Sequence, residues 1–177
     1  YNTNTTIYTG MITGYNIEGG TGVAGGNAQT NITNLMLIVT TDNTIHEVAL
    51  RLFARCMMYG NPDKDNNYIS AQHFRELNNS VPADVKALIN RNSESATYAN
   101  LKAYEKPSQD NYLFGLLNYH TYFGLNNITS RLKVMQINHS DIIDIGYSAN
   151  DAGIAYNTLD ILNEVFAVSY THLRAHE

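Results

Sequence analysis

Three glycines near the start of the chain have the spacing of a nucleotide-binding motif. Gly20, Gly22 and Gly25 match the pattern G-x-G-x-x-G, and Asp42 lies about where the motif carries the acidic partner of a ribose. In a dinucleotide site these glycines let the backbone approach a pyrophosphate, which binds at the N-terminus of the following helix. This spacing could therefore support the binding of a dinucleotide by an oxidoreductase.

The surroundings of these glycines favour a different interpretation. The motif needs a buried strand before its first glycine, and residues 13–18 are not a run of buried apolar residues. Too few residues separate Gly26 from the apolar run that begins at Leu35 for a crossover helix. We therefore predict a flexible loop over 10–26, which contains seven glycines, and keep a dinucleotide-binding enzyme as a distant alternative.

The histidines and the cysteine do not form a catalytic or metal-binding pattern. His46, His73, His120 and His139 each stand without a partner histidine at helical spacing, so the sequence contains no zinc motif. We interpret His46, in the first turn of a helix, and His139, in a turn, as solvated polar residues. Cys56 lies on an apolar helix stripe, which is typical of a buried small hydrophobe. The sequence predicts no catalytic residue, no metal and no cofactor.

The composition argues against a nucleic-acid partner. The chain has 177 residues with a formal net charge of -5, and only 15% of them are charged, so a basic surface is not expected. The 23 Asn and 13 Tyr could instead hydrogen-bond sugar hydroxyls. Tyr119, Tyr122 and Phe123 could pack on sugar rings or belong to the core. A carbohydrate- or solute-binding module is the alternative that these residues support.

The periodicity of the chain predicts one α+β domain. A strand-like run over 3–8 opens it, and apolar residues at steps of three and four predict several short helices in the middle. Leu132–Ile137 and Ile142–Tyr147 alternate as the strands of a hairpin around the turn 138–141. A long amphipathic helix follows Asp151. We expect a small antiparallel sheet, made of the N-terminal strand and the C-terminal hairpin, packed against short helices and this long outgoing helix.

Polar residues at the predicted helix starts indicate where the helices begin. Thr44 with Glu47 has the spacing of a capping box, and Arg51 and Arg55 continue the polar side of that helix at steps of four. The other start signals are Pro82, as a first helical residue, and the N-caps Ser70, Ser93 and Ser108. The predicted helices span 31–39, 44–59, 71–77, 83–89, 94–104, 112–119 and 154–166.

The ends of the chain indicate a fragment of a longer protein. The first residue is Tyr1 rather than Met, and no segment has the length of a membrane span or the pattern of a signal peptide. Residues 169–177 leave the apolar spacing of the last helix and resemble a terminal string that recurs in unrelated metagenomic reading frames. We expect residues 1–168 to be the native domain and 169–177 to be adapter read-through, so His172 and His176 receive no role.

The hairpin and the last helix resemble a known family. Residues 140–155 combine an apolar strand, a Ser, a short turn, an Asp and a helix with Ala. This string is similar to the periplasmic segment of the polysaccharide chain-length determinant family, the Wzz- and GumC-like exopolysaccharide co-polymerases. A Thr-rich strand at 3–9 followed by two helices is similar to the family's opening, so the likeness covers the chain to about Val168. The matching motif positions are Tyr147, Ser148, Asp151 and Ala155.

Two positions depart from the family's pattern. The family carries Pro after the Asp, where this chain has Ala152, and often Asn further along the helix, where this chain has Asp160. Ala is a good helix former, and Asp151 still offers a negatively charged cap. The resemblance therefore depends on packing and turn positions, which are less specific than a catalytic signature.

The resemblance implies a non-catalytic protein of the inner membrane. In this family a periplasmic domain lies between two membrane spans, and its copies assemble beside the polysaccharide polymerase and export machinery to set glycan length. Both spans and any cytoplasmic tyrosine-kinase domain would lie outside this sequence. The resemblance thus predicts a homo-oligomer on the periplasmic face, with the glycan and its polymerase as partners and no catalysis by this domain.

Overall fold

The computed structural model describes residues 8–12, 26–105, 110–138 and 142–175, and it places side chains at 33–105, 110–138 and 142–168. The strands are β1 (Tyr8–Ile12), β2 (Leu132–Gln136) and β3 (Ile143–Ala149). The helices are α1 (Gly26–Val39), α2 (Asp42–Tyr59), α3 (Ala71–Ser80), α4 (Ala83–Lys86), α5 (Glu94–Tyr104), α6 (Tyr112–Tyr119), α7 (Leu125–Arg131) and α8 (Ala152–Ala175).

The three strands form one antiparallel sheet in the order β1-β3-β2. Tyr8 of β1 pairs with Ala149 of the central strand β3, and Leu132 of β2 pairs with its Tyr147. Alternate residues of β3 are buried, namely Ile143, Ile145, Tyr147 and Ala149. This alternation is expected for an antiparallel sheet with one covered face. The predicted α+β fold, in which an N-terminal strand joins a C-terminal hairpin, is confirmed.

Helix α2 lies at the centre of the hydrophobic core. Val48, Leu52 and Phe53 have no exposed surface, and the helix contacts both α5 and α8. The ring of Phe53 meets Phe123 edge-on, with 5.5 Å between ring centroids. Because α8 also contacts β1 and β3, the two long helices join the sheet to the shorter helices.

Helix α2 begins before the predicted capping box. Thr41 is its N-cap, and the Thr41 hydroxyl accepts a hydrogen bond from the Thr44 amide at 3.4 Å. Thr44 lies inside the helix and donates its own hydroxyl to the Ile38 carbonyl at 2.8 Å. Glu47 pairs with Arg51 four residues on, as the spacing predicts. The predicted capping box at Thr44 is therefore wrong, because Thr41, about one turn earlier, is the N-cap and accepts from the Thr44 amide.

Two of the three predicted serine caps are confirmed. Ser70 and Ser93 are the N-caps of α3 and α5, and each side chain accepts from a backbone amide three residues on. Helix α6 has the predicted bounds, but its cap is Asn111, which accepts from the Phe114 amide. Ser108 lies outside the described residues, and the cap assigned to it is wrong because Asn111 is adjacent to the first helical residue.

Several element boundaries differ from the predictions. β1 covers Tyr8–Ile12, where it pairs with β3, and residues 3–7 of the predicted strand lie outside the described residues. Helix α1 begins at Gly26 rather than at 31. Gly10 and Gly26 therefore belong to regular elements, and the rest of the predicted loop, 13–25, lies outside the described residues. Pro82 is an N-cap rather than a first helical residue, and α4 ends at Lys86 instead of 89.

Helix α7 follows α6 directly and was not predicted. It has seven residues, and its N-cap Gly124 makes no side-chain bond, so the sequence carries no capping signal there. Helix α8 continues to Ala175, and the origin of 169–177 stays a prediction. None of the described helices combines the length and the apolar character that crossing a membrane requires.

Gly153, in the first turn of α8, lies against the backbone that precedes α3. A Cβ atom at this position would lie 2.5 Å from the Ile69 nitrogen and 2.6 Å from the Asn66 oxygen. We expect Gly153→Ala to lower the free energy of unfolding by about 2 kcal/mol, because backbone atoms cannot move aside as a flexible side chain can. Urea unfolding measures this loss.

The matched control is Gly115→Ala in α6, where a Cβ atom meets nothing within 4 Å. This substitution should be neutral or stabilise the protein by up to about 1 kcal/mol, since Ala favours the helix over Gly. Equal losses in the two variants would show that the close approach at Gly153 does not limit stability.

Candidate functional site

Asp151 joins the start of α8 to the start of α3. One oxygen of its carboxylate accepts from the Ile154 amide at 3.0 Å, as an N-cap does, and the other accepts from the Ser70 amide at 3.1 Å. The Asp151 side chain has no exposed surface. The predicted capping role of Asp151 is confirmed, and its second role, holding the backbone of Ser70, depends on a contact between distant parts of the chain.

His73 completes this contact, through Asp151 and Ser70 rather than through another histidine. His73 Nδ1 lies 2.6 Å from Asp151 Oδ2 and 2.9 Å from Ser70 Oγ. Because a carboxylate only accepts, Nδ1 carries a proton and donates to Asp151. We refer to Ser70, His73 and Asp151 together as the Asp151 clasp.

The Asp151 clasp does not have the geometry of a hydrolytic triad. In a Ser-His-Asp triad the serine and the aspartate contact opposite nitrogens of the imidazole. Here Ser70 and Asp151 both lie at Nδ1 of His73. The serine is therefore not activated as a nucleophile through the ring, and the cluster connects two helix starts.

Hydrogen bonding keeps Asp151 charged despite its burial. Burial alone raises the pKa of this carboxyl, but hydrogen bonds from Ser70, Ile154 and His73 outweigh it, so its pKa lies below the usual value. A charged carboxylate at this position also interacts favourably with the N-terminus of α8.

A groove of about 450 Å³ opens beside the Asp151 clasp. One wall is a face of α3, and the other is the turn 120–123; we name it the α3 groove. Exposed polar side chains line much of it, and Tyr122 and Phe123 form its buried floor. The lining residues are Ile69, His73, Glu76, Leu77, Ser80, His120, Thr121, Tyr122, Phe123 and Asn150.

The aromatic residues of the α3 groove are held in fixed orientations. The Tyr122 hydroxyl donates to Asn150 Oδ1 at 2.8 Å, and burial raises the pKa of this hydroxyl. The Tyr122 amide donates to His120 Nδ1 at 3.1 Å, so the proton of the neutral His120 ring is on Nε2. Burial lowers the pKa of His120, which favours this neutral form.

A second polar cluster, around Arg55, was missed by the sequence reasoning. The helical spacing places Arg55 on the polar side of α2, yet its side chain is only 6% exposed. Its guanidinium donates to Glu94 of α5 and to Asp160 and Glu164 of α8, at 2.7 to 2.8 Å. We name these four residues the Arg55 cluster. The apolar residues on both sides of Arg55 were the available signal for its burial.

The Arg55 cluster connects three helices without leaving a net positive charge. Burial alone lowers the pKa of Arg55, but the bonds to Glu164 and Glu94 outweigh it and raise the pKa. The guanidinium is therefore charged and matched by carboxylates. A cavity of about 350 Å³ lies beside it, lined by two arginines and two glutamates together with Ser95 and Tyr98. This balance of charges does not favour an anionic ligand.

The remaining motif positions have packing roles. Tyr147 and Ala155 are buried, and Ser148 is half-buried on β3. Burial raises the pKa of the Tyr147 hydroxyl, and nearby Arg131 lowers it to a smaller extent. The hydroxyl is buried, and Arg131 and Thr158 are its polar neighbours. The structure thus brings Asp151 and Ser70 together but keeps Tyr147 within the core.

The elements before and after the glycine motif bear on the possible dinucleotide site. Gly20, Gly22 and Gly25 lie outside the described residues. A helix does begin at Gly26, contrary to the expectation that too few residues were available, but β1 ends at Ile12 and pairs antiparallel with β3. Asp42 is exposed in the first turn of α2.

The other candidate residues separate into core and surface. Cys56 is fully buried as predicted, and burial raises the pKa of its thiol. His46 is half-buried and lies 2.7 Å from Glu105, so it is paired rather than simply solvated. Tyr119 is 79% exposed, whereas Tyr122 and Phe123 are buried. His139 lies outside the described residues, and within those residues no group of His, Cys, Asp and Glu could hold a metal ion.

No protein-family model matches this chain. No curated protein and no solved structure gives a significant match either.

Proposed function

We propose that this chain is the periplasmic part of an inner-membrane protein that regulates the chain length or export of a surface polysaccharide. It acts without catalysis, through the assembly of copies of itself beside the polymerase machinery. The observation that carries this proposal is the junction between β3 and α8, where Ser148 and Asp151 follow an alternating strand and open a long helix. This is the order of elements in which the sequence resembles chain-length determinants.

The structure around the junction supports a mechanical role. Asp151 is buried and holds the start of α3 as well as the start of α8, so these helices and the sheet are joined at one point. A rigid connection of this kind suits a domain that transmits assembly contacts, because the long helix cannot reorient without breaking buried hydrogen bonds.

The surface supports assembly with other copies. The chain carries few charges that would repel a neighbouring copy. Some large apolar side chains are exposed on its surface, as in a subunit interface. Among the described residues, Tyr156 on α8 is 58% exposed and Met135 on the edge strand β2 is 56% exposed. Such residues are suited to a subunit interface, and we propose a homo-oligomer.

Deletion of the full gene in its host tests this function. We expect the length distribution of the surface polysaccharide to change on gel electrophoresis, and a plasmid copy of the gene to restore it. A plasmid copy that carries Gly115→Ala should restore the distribution as fully as the wild-type gene, because a Cβ atom at Gly115 meets nothing within 4 Å. An unchanged length and amount of polysaccharide after deletion would exclude the proposal.

A carbohydrate- or solute-binding module is the second candidate, and the α3 groove is the observation that favours it. The same deletion separates the two functions. A binding module that does not take part in length control would leave the distribution of polymer lengths intact while the purified chain still bound its ligand.

A further inference from the structure

The α3 groove has the dimensions of a site for a short chain of sugars. Its helical wall runs from His73 to Ser80, two turns of α3, which corresponds to about 10 Å. Glu76 lies between them and is exposed, so this wall presents polar groups along its length. A groove that is open along a helix suits an extended polymer better than a compact metabolite.

The two imidazoles of the groove differ in the hydrogen bonds that they leave for a ligand. His73 donates from Nδ1 to Asp151, and its Nε2 lies 3.2 Å from the Tyr122 hydroxyl, so both of its ring nitrogens have partners within the protein. His120 accepts at Nδ1 from the Tyr122 amide, so its Nε2 is a donor. A sugar hydroxyl both donates and accepts, and it can accept a hydrogen bond from His120 Nε2.

Asn150 and the aromatic floor add the other features of a sugar site. The bond from the Tyr122 hydroxyl to Asn150 Oδ1 fixes this exposed amide, with its Nδ2 donor turned away from Tyr122. The His120 ring is half-buried and rests on Phe123, with ring centroids 4.6 Å apart. Because these side chains are already held in place by buried partners, they lose less conformational entropy when a ligand binds.

The charge of the lining selects a neutral ligand. Among the described residues that line the groove, Glu76 is the one carboxylate, and neither Lys nor Arg is present. A phosphate or uronic acid would therefore meet a negative charge without a basic partner. We infer that the α3 groove binds a short uncharged segment of polysaccharide, an inference that rests on the proposed function and names the contact with its glycan.

Titration of the purified 177-residue chain with uncharged hexasaccharides tests this inference. Maltohexaose, cellohexaose and laminarihexaose are the probes, and hexagalacturonate is the acidic counterpart. We expect saturable binding of at least one neutral probe by calorimetry, and weaker binding of hexagalacturonate. Absence of saturable binding by all three neutral probes, or a preference for hexagalacturonate, would overturn the inference.

Two variants place the binding in the groove. Thr121→Arg should abolish it by filling the groove, whereas Thr129→Arg, an exposed threonine on α7, should not. Asn150→Asp keeps the acceptor for Tyr122 but removes the Nδ2 donor, and should weaken binding by about tenfold. Asn126→Asp, at an exposed position of α7, is its control.

Thermal unfolding shows whether each variant is folded. A folded Thr121→Arg variant that binds glycan like the wild type would overturn the inference.

The gene deletion distinguishes failure of this inference from failure of the proposed function. If the gene restores polymer length but the chain binds no glycan, the inference that the α3 groove binds glycan is wrong and the proposal of length control stands. If the chain binds glycan but deletion leaves the polymer unchanged, the proposed function is wrong and the groove stands.

Discussion

Substitution of Asp151 by Ala is expected to lower the free energy of unfolding by about 3 kcal/mol. The Asp151 side chain has no exposed surface, and its loss leaves the amides of Ser70 and Ile154 without their acceptor and His73 without its partner. Hydrogen bonds to a charged group are worth about 1.5–3 kcal/mol, and unpaired buried donors add a further cost. Urea unfolding at neutral pH measures the loss.

The control for this prediction is Asp42→Ala, which removes an exposed aspartate from the first turn of α2. An exposed charge at a helix start contributes only about 0.3–1 kcal/mol. A loss in Asp151→Ala no greater than in Asp42→Ala would mean that the carboxylate does not hold the two helix starts together.

The pH dependence of the stability difference between the wild type and Asp151→Ala tests the charge on Asp151. Its pKa is lower in the folded than in the unfolded protein, so its contribution is complete above the unfolded value of about 4 and is lost as the pH falls through the folded pKa. The difference in unfolding free energy between wild type and Asp151→Ala should therefore shrink as the pH falls below about 4. A difference that stays constant to pH 2 would contradict a charged, hydrogen-bonded Asp151.

Neutralisation of all three carboxylates around Arg55 is expected to cost about 3 kcal/mol of stability. The variant carries Glu94→Gln, Asp160→Asn and Glu164→Gln. Its guanidinium would remain buried without a compensating charge, which is the costly way to break a buried ion pair. We place the loss near the lower end of the usual range because the carboxylates themselves are 30% to 46% exposed. Chemical denaturation of the triple variant measures it.

The single substitutions should cost much less than a third of this loss each. Any two remaining carboxylates still compensate Arg55, and an exposed ion pair contributes about 0.2–1 kcal/mol. The effects are therefore non-additive, as expected for groups that share one partner. Glu47→Gln, which removes the half-buried pair with Arg51 and changes none of the carboxylates on Arg55, is the control. Strict additivity of the three single changes would show that Arg55 does not depend on its total compensating charge.

The parts of the fold that were predictable are those with local signals. The caps Ser70 and Ser93 act on amides three residues away, and the hairpin of β2 and β3 follows from alternation along each strand. Local signals also mislead where two of them compete. Thr41 and Thr44 both have cap chemistry, and the sequence does not show which of them the chain uses.

The candidate site was less predictable because its contacts join distant residues. His73 and Asp151 are 78 positions apart, and Arg55 is 109 positions from Glu164. Asp151 was identified as a cap, which is the local half of its role, and its bond to Ser70 depends on how α3 and α8 pack. The α3 groove was not predictable for the same reason, although Tyr122 had been named among the residues that could contact sugars.

The position of β3 in the centre of the sheet affects the order in which the protein folds. Tyr8 pairs with Ala149, so β1 has no partner until nearly the whole described chain has been synthesised. The β2–β3 hairpin is local and can form early, whereas closing so long a loop is slow and entropically costly. Since synthesis adds about 5–20 residues per second, the backbone of β1 remains without its strand partner for many seconds. We therefore expect β1 to dock last, onto an edge that the hairpin and α8 have already built.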